Sequence, residues 1–176
     1  MSRLAVYLPL LINFSVNALH IAITGTSQGI GLDAAKRLIR DGHTVYHANR
    51  NSGRSAEAAQ QAGGGIPMVC DLASLESVRA FADELATKPL DVLCLNAGIA
   101  PSTKAEAPET TMDGFEACIG TNHLGHFLLA NLLAPKVKRI VVTARVEIAT
   151  ATLSSRRRVD GVEGMIRPWA RSAAKI

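Results

Sequence analysis

The chain has 176 residues, of which 48% are hydrophobic and 19% are charged, a composition that excludes an intrinsically disordered protein and predicts a single globular domain. The net charge of +4 comes entirely from the end of the chain, because residues 1–144 contain 12 basic and 12 acidic residues whereas residues 145–176 contain 7 and 3. The balanced body gives no electrostatic reason to expect nucleic acid as a general partner.

The N-terminal segment, residues 1–19, is apolar and has two interpretations. Arg3 precedes the run "LAVYLPLLI", and the tripeptide "VNA" would suit cleavage by a signal peptidase after Ala18, which favours a targeting or membrane-associating segment. The alternative is an extension that packs on the fold. A membrane-spanning helix is disfavoured, because it needs about 20 uninterrupted apolar residues and a proline and two asparagines interrupt this run.

From residue 20 onward, strand-like and helix-like segments alternate. Short apolar runs predict strands at residues 20–24, 43–48, 66–70, 90–96 and 138–144. The segments between them predict helices at residues 29–42, 55–65, 74–86 and 110–133. Strands joined by helical crossovers form parallel sheets covered on both faces, so the pattern predicts an α/β fold with a doubly wound, Rossmann-like parallel sheet. A dinucleotide-binding sheet of this type has two βαβαβ halves, so the second half is incomplete here.

Three segments follow from this pattern: the apolar extension at 1–19, a Rossmann domain at 20–144 and a basic tail at 145–176. The tail has neither helical nor strand periodicity, and the chain changes character at Arg145 inside "VVTARVEIAT". Binding of RNA or acidic lipid by the tail's consecutive arginines is a weaker interpretation, because charge runs are usually solvated and Trp169 is the only aromatic residue there.

Three cysteines, Cys70, Cys94 and Cys118, form no Cys-x-x-Cys pair. Two of them fall in apolar strand-like runs, where cysteine behaves as a small hydrophobic residue. We therefore expect buried reduced thiols rather than a disulfide or a metal site, and a reducing compartment such as the cytoplasm or an organelle stroma.

A glycine-rich turn, "TGTSQGIG", follows the first predicted strand and opens the first predicted helix. Gly25 permits a tight turn, Gly29 lets the backbone approach a pyrophosphate, and Gly31 lets the helix pack close to the sheet. The helix N-terminus offers free N–H groups and a positive dipole to phosphates. An ordinary strand-to-helix turn is the alternative. The predicted dinucleotide contacts in this turn are Gly25, Ser27, Gln28, Gly29, Ile30 and Gly31.

The second predicted strand runs into Asn49 and Arg50 rather than into an acidic residue. A carboxylate at this point would bind the ribose 2′-hydroxyl, whereas a guanidinium attracts a 2′-phosphate and can bind it with two hydrogen bonds. Arg50 therefore predicts NADP(H) as the cofactor. The alternatives are that Arg50 is a solvated surface residue or that the nearby Arg54 is the phosphate ligand.

Four motifs in order resemble the short-chain dehydrogenase/reductase family over about residues 20–144. They are the Gly-x-x-x-Gly-x-Gly turn, "CDL" (70–72), "LNAG" (95–98) and "NHLG" (122–125). Within the family, "GTNHLGHFLLANLL" (120–133) looks most similar to the branch of protochlorophyllide reductases and retinol dehydrogenases.

The resemblance implies an NADP(H)-dependent oxidoreductase that transfers a hydride to a small hydrophobic carbonyl or alkene substrate. It also implies that Asp71 and Leu72 flank the adenine, while Asn96, Ala97 and Gly98 line the ribose and pyrophosphate side. Without the family, these residues would be a helix cap and a turn. Association of two copies through the predicted helix at 110–133 is a further expectation.

The family's catalysis uses an asparagine, a serine, and a tyrosine with a lysine four residues later. Asn122 matches the asparagine, with simple solvent exposure as the alternative. Arg145 stands where the serine belongs, and Thr143 is expected to lie too deep in the sheet to replace it. The only tyrosines are Tyr7 and Tyr46, so no Tyr-x-x-x-Lys occurs.

Two hypotheses follow. The chain is either an oxidoreductase of this family whose activity is impaired, or a catalytically inactive NADP(H)-binding remnant, regulatory or interacting, that is truncated or frame-shifted after Ala144. In the second case the apolar face of the long helix, including Phe127, Leu128 and Leu132, is expected to be partly uncovered, which predicts poor solubility or dependence on a partner.

Overall fold

A computed structural model describes residues 18–100 and 109–144. The predictions for the apolar N-terminal segment and for the basic tail, including Arg145, lie outside these residues. The described strands are β1 (His20–Thr24), β2 (Thr44–Asn49), β3 (Ile66–Val69), β4 (Val92–Leu95) and β5 (Arg139–Val142).

The five strands form one sheet in the order β3-β2-β1-β4-β5, with every neighbouring pair parallel. From β1 the chain winds outward to β2 and β3, and then returns to place β4 on the other side of β1. The strand order therefore reverses between β1 and β4, and in such sheets ligands bind in the crevice at the carboxyl ends of the strands next to this point. The predicted doubly wound parallel sheet is confirmed.

The helices between the strands have clear local causes. They are α1 (Gly29–Arg40), α2 (Ser52–Ala62), α3 (Leu75–Ala86), α4 (Ala117–Ile119), a π-helical segment (Gly120–Gly125) and α5 (His126–Leu133). Side-chain oxygens cap α2 and α3: Asn51 accepts a hydrogen bond from the N–H of Arg54 at 2.9 Å, and Ser74 accepts one from Ser77 at 3.2 Å. Such caps satisfy N–H groups that have no partner within the helix.

Apolar side chains cover both faces of the sheet. Phe81 of α3 and Leu129 of α5 pack with Leu93 of β4 on one face. Leu32 of α1 and Val45 of β2 belong to the cluster on the other face. Burial of these two clusters is the main source of stability for the sheet.

The predicted helix over 110–133 is wrong in its first seven residues. Thr110 and Glu116 instead form an antiparallel bridge, and Gly114 has a positive φ of 81° in the turn between them. Helical structure then begins at Ala117, where both carboxylate oxygens of Glu116 accept N–H groups of the first turn. The sequence resembles a helix throughout because the apolar residues Met112 and Phe115 are three positions apart. The cap at Glu116 fixes the later start.

The edge strand β5 carries exposed apolar residues. Ile140, Val141 and Val142 are 36%, 42% and 65% exposed, and on the neighbouring helix Phe127 and Leu132 are 47% and 37% exposed. The expectation of an incompletely covered apolar surface is therefore met at Phe127 and Leu132, whereas Leu128 packs partly against the core. Over the described ranges, no helix is both long and apolar enough to cross a membrane.

Candidate nucleotide-binding cleft

A cleft of about 490 Å³ lies at the carboxyl ends of the strands. All of the residues predicted to contact a dinucleotide line it. They are Gly25, Ser27, Gln28, Gly29, Ile30, Gly31, Arg50, Asp71, Leu72, Asn96, Ala97 and Gly98. These residues belong to four segments that follow β1, β2, β3 and β4. They meet in one wall because the carboxyl ends of parallel strands lie at the same edge of the sheet.

Further residues line the cleft, and among them the sequence suggested only Arg54, as an alternative ligand for the 2′-phosphate. They are Ala48, Asn49, Arg54, Cys70, Ala73, Ile99, Thr121 and Thr143. Half of them, namely Asn49, Cys70, Ala73 and Ile99, adjoin a predicted contact, so the signal available in the sequence was their position at a strand end. Thr121 differs, because it belongs to the π-helical segment and only the fold brings it to the cleft.

Two glycines in the turn are required by its geometry. Gly25 has a φ of 72°, and a Cβ there would lie 2.7 Å from the Cα of Ala97. A Cβ at Gly31 would overlap the carbonyl oxygen of Gly25. The Asn96 side chain holds the turn after β4 against the glycine turn, because its Nδ2 donates to the carbonyl oxygens of Thr24 and Gly25 at 3.1 and 3.2 Å. The turn, the first helix and the turn after β4 are therefore packed directly on one another.

The N-terminus of α1 faces the cleft without a capping side chain. Gln28 occupies the N-cap position but its side chain accepts no hydrogen bond there, and the first turn contains no acidic residue. Ile30, in the first turn of α1, is 72% exposed and lines the cleft. The free N–H groups and the positive end of the helix dipole are thus available to an anion.

The buried hydroxyl of Thr24, next to the glycine turn, joins three segments that are distant in the sequence. Its oxygen accepts the N–H groups of Asn96 and Ala97 at 2.9 and 3.0 Å. On its other side lies Nε2 of His126 at 2.9 Å, while Nδ1 of the same ring lies 3.0 Å from the carbonyl oxygen of Asn122. A carbonyl can only accept, so Nδ1 carries the proton and Nε2 accepts the hydroxyl of Thr24. Burial lowers the pKa of His126, which is consistent with this neutral ring.

Asn122 lies in the π-helical segment, and both ends of its amide bond to the backbone of one residue. Oδ1 accepts the N–H of Ile99, and Nδ2 donates to the carbonyl oxygen of the same residue, both at 2.8 Å. Asn122 is solvent-exposed and is not among the residues that line the cleft. In this structure it fixes the segment after β4, which is a role that sequence reasoning did not foresee. A catalytic role remains a prediction.

Asp71 is placed by local hydrogen bonds at the start of the segment that leads to α3. Its carboxylate accepts the N–H of Ala73 at 3.0 Å, and its own N–H donates to the hydroxyl of Ser77 at 3.0 Å. The neighbouring Cys70 is buried. Burial and the negative charge of Asp71 raise the pKa of the Cys70 thiol to about 12. All three cysteines are free thiols, and Cys70 contributes bulk to the cleft wall rather than reactivity.

Two arginines lie at the end of the cleft next to β2. Arg50 and Arg54 are both exposed, and within the described part of the chain neither forms an ion pair with another side chain. Asn49 lies in the cleft wall in the place where a carboxylate would repel a phosphate, but its amide is already bonded to the backbone and hydroxyl of Thr26. This end of the cleft is therefore positively charged and has unpaired hydrogen-bond donors.

Tyr46, one of the two tyrosines, and Thr143, near the position of the family's serine, lie in the described part of the chain. Tyr46 is buried in the core, where its hydroxyl donates to the carbonyl oxygen of Pro89 at 3.0 Å and burial raises its pKa. Thr143 was expected to lie too deep, and this is wrong, because β5 ends at Val142 and Thr143 is exposed and lines the cleft. Arg145 and Tyr7 lie outside the described residues.

Comparison with known proteins identifies the family. The sequence profile of the family described as short chain dehydrogenase matches residues 19–150. The chain belongs to the short-chain dehydrogenase/reductase family. It is 46% identical over 127 residues to a chloroplastic protochlorophyllide reductase from Pisum sativum, a match that covers 68% of this chain and 32% of the pea protein. The chain thus spans about a third of the length of this curated relative.

Two solved structures that contain nicotinamide nucleotides align with the fold. The Pseudomonas aeruginosa RhlG/NADP active-site complex has a TM-score of 0.61 at 25% identity, covering 78% of this chain and 61% of that one. The 3-ketoacyl-(acyl-carrier-protein) reductase of Brucella melitensis, complexed with NADH, has a TM-score of 0.54 at 28% identity, covering 66% of this chain and 49% of that one. One of these neighbours is thus described with NADP and the other with NADH. The motif-based assignment of family and lineage is confirmed.

Proposed function

We propose that the cleft binds NADP(H) in preference to NAD(H). The observation that carries this proposal is the pair of arginines, Arg50 and Arg54, which line the cleft next to β2 and form no ion pair within the described part of the chain. A 2′-phosphate there gains charge-assisted hydrogen bonds, and the neutral Asn49 causes no repulsion.

The remaining cleft residues suit the other parts of a dinucleotide. The uncapped N-terminus of α1 would hold the pyrophosphate. Asp71 and Leu72 would contact the adenine, and the turn from Asn96 to Gly98 would line the ribose. When bound, the nicotinamide supplies the hydride. The residues of this chain bind and orient it.

We further propose that turnover is impaired in this chain. Reduction of a carbonyl requires a proton donor beside the accepting oxygen, with a pKa brought toward neutrality. Tyr46 cannot serve, because it is buried and bonded to Pro89 away from the cleft. Thr143 is the hydroxyl that β5 presents to the cleft, but a threonine without an adjacent base is a weak acid.

The second candidate function is the oxidoreductase activity of the family. Hydride transfer to a small hydrophobic carbonyl or alkene remains the activity of the lineage, and the name of the pea relative is consistent with a hydrophobic substrate. Three free thiols suit a reducing compartment, and the chloroplastic relative makes an organelle stroma the first one to test. Association of two copies through the helical segment from Ala117 to Leu133 belongs to the same proposal.

Titration of the chain with NADPH and with NADH, followed by nucleotide fluorescence, tests the proposal. We expect NADPH to bind at least about tenfold more tightly than NADH, because one charge-assisted hydrogen bond contributes roughly 1.5–3 kcal/mol. Replacement of Arg50 by Gln is expected to weaken NADPH binding by about 10- to 100-fold and to leave NADH unchanged. Arg54→Gln is the matched control that separates the two arginines.

A single-turnover reaction with NADPH and retinal or a similar carbonyl distinguishes the two candidate functions. NADPH binding without oxidation of the nucleotide supports a binding protein of this lineage. Oxidation that depends on the carbonyl would establish hydride transfer and reject impairment. Absence of binding for both nucleotides would reject the proposed function altogether.

A further inference from the structure

A fully buried histidine lies directly behind the glycine turn. His47 of β2 is 0% exposed and lies on the same face of the sheet as Val45, toward α1 and α2. Its Nδ1 is 3.1 Å from the hydroxyl oxygen of Thr26, and its Nε2 is 3.1 Å from the carbonyl oxygen of Gly64. Burial of an imidazole in an apolar face is unfavourable unless both ring nitrogens are paired, so these two hydrogen bonds are what makes a histidine tolerable at this position.

The hydrogen bonds determine which nitrogen of the ring carries the proton. The carbonyl of Gly64 can only accept, so Nε2 of His47 is the N–H and Nδ1 is the acceptor in a neutral ring. Burial lowers the pKa of His47, in agreement with a neutral ring. The strand residues paired with it are Ile23 and Pro67, neither of which is charged. The charged side chains of α1 and α2 are exposed: Asp33, Lys36, Arg37, Arg40, Arg54 and Glu57.

Thr26, in the glycine turn, completes a closed set of hydrogen bonds with Asn49. The N–H of Thr26 donates to Oδ1 of Asn49 at 2.9 Å, and Nδ2 of Asn49 donates to the hydroxyl oxygen of Thr26 at 2.9 Å. Thr26 is 0% exposed, so its hydroxyl proton cannot reach water. Nδ1 of His47 is the acceptor that this proton has in the structure.

We propose that His47 is a positioning residue for the nucleotide, acting through the hydroxyl of Thr26 on the glycine turn and on Asn49. This inference rests on the proposed binding of NADP(H). The neighbours of Thr26 on both sides, Gly25 and Ser27, line the cleft, as does Asn49. If the hydroxyl lost its acceptor, it would turn away from Nδ1 and compete for the amide of Asn49. The backbone donors of the turn and the wall beside Arg50 would then shift together.

Two substitutions of the ring separate this role from a purely structural one. Oδ1 of an Asn side chain occupies nearly the position of Nδ1, so His47→Asn keeps the acceptor for Thr26 and loses the bond to Gly64. The Nε2 amide of a Gln side chain occupies nearly the position of the ring's Nε2, so His47→Gln keeps the bond to Gly64 and loses the acceptor for Thr26.

The experiment measures NADPH affinity by fluorescence titration of the full chain, with the melting temperature recorded for each variant. We expect His47→Asn to bind within about threefold of the unmodified chain, and His47→Gln to bind roughly tenfold more weakly, the factor that corresponds to one buried hydrogen bond. His43→Asn is the matched control, because His43 lies at the opposite end of β2 and does not line the cleft.

A second pair of variants tests the same link from the other partner. Thr26→Ser keeps the hydroxyl and is expected to retain affinity, whereas Thr26→Ala removes it and is expected to weaken binding roughly tenfold. In the Thr26→Ala background, the two substitutions at His47 should give the same affinity. If either His47 variant fails to fold, the two Thr26 variants still test whether the Thr26 hydroxyl contributes to NADPH affinity.

Three outcomes would overturn the inference. They are equal affinities for the Asn and Gln variants, tighter binding by the Gln variant, and unchanged affinity in Thr26→Ala. If the unmodified chain binds no NADPH, the proposed function fails instead, and the two failures are therefore distinguishable.

Discussion

At the scale of single residues, two glycines in the first turns of helices have different physical causes. A Cβ at Gly31 would overlap the carbonyl oxygen of Gly25, so the close approach of α1 to the turn requires glycine there. A Cβ at Gly53 in α2 would meet only Oδ1 of Asn51, at the ordinary contact distance of 3.7 Å. The backbone of Gly53 does not have a positive φ. One glycine is therefore required by packing and the other is replaceable.

Substitution of each glycine by Ala tests this difference. We expect Gly31→Ala to lower the free energy of unfolding by about 1–3 kcal/mol, as overpacking does. Gly53→Ala should leave it unchanged or raise it by about 0.4–1 kcal/mol, because the unfolded chain loses freedom and nothing in the helix is displaced. Urea unfolding followed by circular dichroism measures both. Similar values for the two variants would contradict the assignment of Gly31 to close packing.

The cleft residues in short motifs were predictable from the sequence, whereas the contacts between residues far apart in the chain were not. The glycine turn, "CDL" and "LNAG" are short contiguous motifs, and their residues all line the cleft because parallel strands end at one edge of the sheet. The paired roles of Thr24 and His126 were not predictable, because these residues are separated by 102 positions and meet only after the sheet and α5 are in place. The bonds of His47 and Asn122 were missed for the same reason.

At the scale of elements, the helix before β5 was the least accurate prediction. Polar and apolar residues are spaced as in a helix from residue 110. The backbones of Thr110 and Glu116 instead form an antiparallel bridge, which excludes a helix between them. The sequence signal was present in Gly114, which breaks helices, and in Glu116, a carboxylate placed to accept first-turn N–H groups. The π-helical geometry of Gly120–Gly125 has no comparable local signal.

Asp91, just before β4, holds together the starts of three strands. Its carboxylate accepts the N–H of His20 at 2.9 Å and pairs with Lys138 at 2.7 Å, and its backbone exchanges further bonds with both residues. The hydrogen bond from His20 and then the contact with Lys138 lower the pKa of Asp91 below its ordinary value of 3.8. The carboxylate therefore stabilises the folded chain only while it is ionised.

The sign of the pH dependence follows from this lowered pKa. The contribution of Asp91 is complete above its unfolded pKa, about 3.8, and is lost as the pH falls through its lower folded pKa. We expect Asp91→Asn to unfold with a flatter acid transition, because Asn keeps the acceptor for His20 but cannot pair with Lys138. Melting temperatures between pH 6 and about pH 2.5 measure this. The pKa of Glu116 is also lowered, by the N–H donors of Cys118 and Ile119, so Glu116→Gln is the control.

At the scale of the whole molecule, the sheet has one edge that is apolar and open to solvent. Both faces of β5 are exposed, and its backbone on the outer side has no partner strand among the described residues. An exposed apolar edge of this kind can pair with another chain. The predicted poor solubility or dependence on a partner would therefore arise at the outer edge of β5.

A charge on this edge should reduce self-association. We expect the chain to show concentration-dependent mass by size-exclusion chromatography with light scattering, and Val141→Lys to shift the distribution toward the monomer. Gln60→Lys, an exposed position on α2, adds the same charge elsewhere and serves as the control. A sharp monomer peak with a cooperative melt for the unmodified chain would argue against an adhesive edge.

The hydroxyl of Thr24 has a consequence for the order of folding. It accepts N–H groups from a turn more than 70 positions away and meets an imidazole 102 positions away. Local contacts in β1, α1 and β2 can form without either segment, but this oxygen obtains its partners only after both loops have closed. The contacts that fix Asn96 and Ala97 in the cleft wall are thus completed late in folding, so a nascent chain can have a formed glycine turn before it has a site.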